Sequence, residues 1–196
     1  MMCVDFFSQN SNNKDKCKLL YQIPQDKLLA WELESASEYS PGPVKNEEFL
    51  YRQILSPVHY DEEAKAFKPT AFDDASNKGM SVNRLEYTSI EHINQMANDR
   101  VEQHNQSYPE KPRSFPGTVR FVCDDIRKIT VHPDGSVAPV RGCVVYDTAY
   151  EHDQSHADIC EIAKTKAYAR SVRLSILDLA NNFLQQNPFP TETDCI

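Results

Sequence analysis

The sequence predicts an α+β domain: a small, mostly antiparallel sheet packed by a central helix and a long C-terminal helix, with an N-terminal arm ahead of it. Three observations carry this. Apolar residues recur three to four apart at Ile90, Ile93, Ala97 and Val101, and again at Ala169, Val172, Ile176, Ala180 and Phe183, as in helices with one buried face. Between these stretches Val119, Phe121 and Cys123 alternate, the period of a half-buried strand. A stretch with two prolines around a glycine, Ser35 to Asn46, sets the first 45 residues apart. The expected organisation is an arm and linker over 1–45, one domain over 46–187 and a flexible tail over 188–196.

Within the arm, Ser8 to Lys18 is polar and reads as mobile. Leu19 to Ile23 reads as a short strand, and Pro24 opens a segment holding Leu28, Leu29, Trp31 and Leu33. In the domain, Glu47 to Ser56 is apolar but too short for periodicity to assign. Phe67 and Phe72 are expected to anchor a loop, and Met80 to Arg84 to form a strand. Thr88-Ser89-Ile90-Glu91 fits a capping box, which starts the central helix at Thr88 and runs it to about His104. Strands are expected over Thr118 to Cys123, Ile126 to Val131 and Val137 to Tyr146, the last two joined by a turn at His132-Pro133-Asp134-Gly135. The long helix should run from Ile162 to Leu184 and stop at Asn187-Pro188.

A chain of 196 residues buries roughly 70% of its unfolded surface and needs no disulfide or metal staple. The net charge of −8 opposes non-specific binding to nucleic acid, because phosphate neutralisation needs a basic surface. Six scattered cysteines without a CxxC pair fit reduced thiols in a cytosol. The start of the chain lacks a basic region followed by an apolar core, so no signal peptide is expected. No apolar run approaches the roughly 20 residues of a membrane span. These points predict a cytoplasmic protein.

The candidate sites are few. His152, His156 and Cys160 are spaced by four, and on one helix face they would suit zinc; without a CxxC or a second HxxxH to complete four ligands, no metal is expected. Asp124, Asp125, Asp147 and Asp158 lie near strand ends, where turn residues are common. Lys164, Lys166, Arg170 and Arg173 give the long helix a basic face. No GxxxxGK[ST], GxSxG or HExxH motif occurs, so no cofactor is expected, and whether the chain is an enzyme stays open.

Four short pieces in order carry a resemblance: Leu50-Tyr51-Arg52, Ala66-Phe67-Lys68-Pro69, Ser81-Val82-Asn83-Arg84 and His156-Ala157-Asp158-Ile159. The pattern resembles a loose family of small, uncharacterised bacterial proteins. The resemblance implies a bacterial, intracellular setting, and by analogy an accessory role in a multiprotein, defence-associated system. The same order is similar to the layout of ADP-ribosyltransferase-like folds. That likeness implies Arg52 and Ser81 holding NAD, Glu86 or Glu91 as the acid, and His156 nearby. The leading expectation is a non-catalytic binding or accessory subunit with a protein partner. Trp and Arg often anchor interfaces, which points to Trp31, Lys166, Arg170 and Arg173 as contacts.

Overall fold

A computed structural model describes residues 2–132, 138–163 and 165–190. The helices are α1 (Cys3–Gln9), α2 (Lys16–Leu20), α3 (Gln25–Trp31), α4 (Ile90–Ser107), α5 (Cys123–Arg127) and α6 (Lys166–Gln186). The strands are β1 (Phe49–Ser56), β2 (Tyr60–Asp61), β3 (Ala66–Phe67), β4 (Met80–Arg84), β5 (Ser114–Val122), β6 (Thr130–Val131), β7 (Val140–Arg141), β8 (Cys143–Tyr146) and β9 (His156–Glu161). Five strands form one antiparallel sheet in the order β5-β1-β4-β9-β8. This is the α+β architecture the sequence predicts.

Register decides which side chains meet. Leu50 lies opposite Phe121, Met80 opposite Ile159, Val82 opposite Ala157, and Val145 opposite Ile159. Because strand side chains alternate, these residues share the first face of the sheet. They join Ile126 of α5 and Val172, Ile176 and Ala180 of α6 in one hydrophobic core. The periodicity of α6 predicted these last three. Thr165 caps that helix by accepting from the Tyr168 N–H, so it starts four residues later than its apolar pattern suggests. Ile162 and Ala163 instead follow β9.

The second face is covered in two places. Over β1, α4 lays its Ile93 and Ala97 face down; Gln53 donates to the Ile93 carbonyl and accepts from Arg100. Ser89, not Thr88, caps α4 by accepting from the His92 N–H. Over β8 and β9 sit α1 to α3. Phe6, Phe7, Leu20, Leu28 and Trp31 join Val144, Tyr146, Cys160 and Ile162 in a second core. The residues set apart as an arm thus supply most of this second core, each large side chain contributing about 1.5–3 kcal/mol on burial.

Several local readings change. Leu19 to Ile23 is not a strand: α2 ends at Leu20 and a turn follows. Cys17 and Leu20 are buried and Lys18 is exposed, the one-turn spacing of a helix. Cys123 to Arg127 is a helix, leaving Thr130 and Val131 to pair with Val140 and Arg141 as a two-strand ribbon. The expected turn at His132-Pro133-Asp134-Gly135 lies largely outside the described residues. Phe189, expected in a loose tail, packs edge-on against Tyr60 and Phe67, with ring centroids 5.2 and 6.3 Å away. Gly117 makes room for it: a Cβ there would lie 2.7 Å from the Phe189 ring.

Candidate functional site

The groups singled out in the sequence are dispersed. Arg52 shares the first face with Leu50 and Ile54, whereas Ser81 lies opposite Asp158 on the second. Arg52 reaches only the Ser81 backbone, donating to its carbonyl at 3.0 Å; it also pairs with Asp74 at 3.1 Å and lies 3.4 Å from His59 Nε2. Burial, with Arg52 alongside, pushes His59 down to about 4, so this imidazole is neutral. Arg52 therefore ties β1 to the loop before β4. Glu86 pairs with Lys45 on the surface, and Glu91 sits in the first turn of α4. Arg52, Ser81 and these acids do not meet.

The proposed metal set is scattered as well. His156 and Cys160 are four residues apart on a strand, roughly 13 Å at about 3.3 Å per residue. His152 sits in the preceding turn, stacked on Tyr150. Among the described residues no group of three potential ligands could hold a metal ion. Cys160 lies against Cys17, and that contact together with burial pushes its thiol well above the ordinary value. Burial likewise pushes Cys3 and Cys123 up to about 12. These are inert core thiols.

The expected partner contacts divide. Trp31 is 2% exposed and packs on Phe6, so it anchors the second core rather than a surface. Arg173 pairs with Asp73 and ties α6 to the loop before β4. Lys166 and Arg170 are exposed, and Lys164 lies outside the described residues. Among the aspartates, Asp124 pairs with Lys128, Asp147 with Arg84 and Asp158 with Lys16; they do not converge.

What does converge is a polar cluster on the second face, beneath the N-terminal helices. Lys16, first residue of α2, extends to Asp158 of β9, Nζ to Oδ2 2.6 Å, with side chains 9% and 4% exposed. The Cys17 N–H donates to the Asn77 carbonyl at 2.8 Å and fixes α2 beside the start of β4. His156 Nδ1 lies 3.0 Å from both the Oγ1 and the carbonyl oxygen of Thr148. A carbonyl only accepts, so Nδ1 carries a proton and donates to the Thr148 carbonyl, while Nε2 lies 4.0 Å from Asp158 Oδ1. Tyr150 covers His156, its ring centroid 4.4 Å away.

A cavity of about 380 Å³ opens over this cluster. Its walls come from α1 (Asp5, Phe7, Ser8), the linker (Ser37, Glu38) and the segment after β8, with Lys16 and Asp158 lining it. The volume suits a small molecule, and a few polar groups converge on it. A larger groove of about 900 Å³ lies between the start of β5 and the end of α6, where Tyr60, Phe115, Leu184 and Phe189 line it beside Glu62 and Lys65; none of its charged side chains is a buried pair like Lys16 and Asp158.

Burial alone would raise the Asp158 carboxyl, but the Lys16 charge, the neighbouring His156 and the hydrogen bond from Lys16 hold it below its ordinary value. Burial alone would lower Lys16, but Asp158 holds it above its ordinary value. A depressed carboxylate adds stability that is present above its unfolded pKa of about 3.9 and is lost as pH falls through the folded value. A raised lysine adds stability that is present below about 10.4 and is lost as pH rises through its folded value. In urea titrations, Lys16→Met should therefore remove stability across the neutral range and flatten the acid limb; an unchanged profile would contradict the pair.

Gly79 is fitted to this carboxylate. Its φ is +90°, and a Cβ would stand 2.9 Å from Asp158 Cγ. Gly79→Ala is expected to cost about 1–2 kcal/mol from backbone strain, and more once Asp158 is displaced. Denaturant midpoints measure this, and a variant as stable as the parent would refute the fit.

No family model, curated protein or solved structure matches the chain. Among the described residues no helix is long and apolar enough to cross a membrane.

Proposed function

We propose that the chain is a non-catalytic binding subunit whose ligand, a small polar molecule, seats in the cavity between the N-terminal helices and β9. One observation carries this: the buried Lys16–Asp158 pair faces the cavity while the groups around it are committed to one another. His156 Nδ1–H donates to the Thr148 carbonyl. Lys16 is held protonated. Fixed charges lining a cleft suit recognition of a ligand. The wider setting, an accessory role in a bacterial multiprotein system, rests on the resemblance of the four motifs.

The test is a thermal-shift and calorimetric screen of neutral, anionic, cationic and zwitterionic metabolites. It compares the chain with Ser8→Trp, which fills the cavity from an exposed helical position and leaves the ion pair intact. Binding that Ser8→Trp abolishes supports the reading. Binding unaffected by Ser8→Trp, or turnover of a bound compound that His156→Ala removes, would overturn it.

A further inference from the structure

We infer that the cavity over β9 recognises an uncharged, hydroxyl-rich ligand, a free sugar or the ribose of a nucleoside, through one hydroxyl seated between Lys16 and Asp158. This rests on the binding reading above and names the chemistry of its ligand. An ammonium carries three donors, and the hydrogen bond Lys16 makes is to Asp158 Oδ2 at 2.6 Å. Its side chain is nine-tenths buried and lines the cavity together with Asp158 and Phe7, whose ring centroid lies 5.4 Å from Nζ. Asp158 beside it is an ionised acceptor. The pair thus offers donors and acceptors within one hydrogen-bond length of each other.

Few ligand groups suit both. A carboxylate or phosphate that accepts from Lys16 is set against Asp158, and burying like charges together is costly. An ammonium that donates to Asp158 is set against Lys16 for the same reason. A hydroxyl accepts from the one and donates to the other, so it completes the pair without adding charge. The walls reinforce the choice. Asp5 and Glu38 add two further carboxylates, and with Asp158 against Lys16 the lining carries an excess of negative charge that disfavours anions. Ser8 and Ser11 add hydroxyls to the wall. A cavity of about 380 Å³ accommodates a monosaccharide or a nucleoside.

The experiment is calorimetry on the full chain with glucose, ribose, adenosine, glucose 6-phosphate, adenosine monophosphate, ethanolamine and acetate. The inference expects at least one neutral compound to bind, its phosphorylated counterpart to bind tenfold or more weakly, and Ser8→Trp to abolish binding. Glucose against adenosine separates the two sources: binding of adenosine and ribose without glucose selects the nucleoside, and glucose alone selects the sugar. Tighter binding of a phosphate, acetate or ethanolamine, lost in Ser8→Trp, overturns the hydroxyl inference and leaves the binding subunit standing. No binding by any compound in this panel overturns the inference; the broader screen then decides the binding reading by itself.

Discussion

Arg84→Met is expected to destabilise the fold by about 3–5 kcal/mol, the range for removing one partner from a buried ion pair. Arg84 is wholly buried. Its Nε and Nη2 donate to the two carboxylate oxygens of Glu48 at 2.7 and 2.8 Å, and Nη1 lies 3.3 Å from Asp147. Nη1 also donates to the Gly42 carbonyl at 2.8 Å, and the guanidinium lies over the Tyr87 ring at 4.5 Å. One planar group thus joins the linker to β4, the residues before β1 and the end of β8. Methionine fills the volume but strands two carboxylates away from water. Arg84→Lys should not restore stability, because one ammonium cannot reproduce the two-pronged contact with Glu48. Urea midpoints read both variants, and a midpoint within error of the parent would refute the network.

Trp31→Ala is expected to cost about 3–5 kcal/mol, as for other large aromatic truncations in cores. The Trp31 ring packs on Phe6 at 5.6 Å, and Phe7 carries the contact on to Tyr146 of β8 at 4.7 Å. The loss should appear in the isolated chain, without any partner. A sequence reading that puts Trp31 on a docking surface expects unchanged stability and weaker association, so denaturation of the isolated chain separates the two. Unchanged stability would also detach residues 1–45 from the core.

Much of the fold was legible because it is locally encoded. Helix α6 announces itself through Ala169, Val172, Ile176 and Ala180, all buried, and α4 through Ile93 and Ala97. The strand over Met80–Arg84 was readable for the same reason. The arm was misjudged because the linker signal is local while its packing is not. Cys3, Phe6 and Phe7 precede a polar stretch that reads as mobile, yet they close on strands more than a hundred residues later. The site was hidden in the same way. Asp158 stood among several aspartates with nothing to distinguish it, and its partner Lys16 lies 142 residues away. Spacing also misled: His152, His156 and Cys160 share a face only on a helix, and Val144 paired with Cys160 makes that segment a strand. Thr148 and Tyr150 carried no signal beyond their neighbourhood to β8.

The central claim is that the N-terminal helices deliver Lys16 to Asp158 beneath the cavity. Carbon-detected NMR titration of the Asp158 carboxyl tests it most directly, in the parent chain and in Lys16→Met. The structure predicts a midpoint below the ordinary aspartate value in the parent, because Lys16 outweighs burial, and a midpoint displaced upward in Lys16→Met. A parent carboxyl that titrates at or above the ordinary value, unmoved by Lys16→Met, would contradict it.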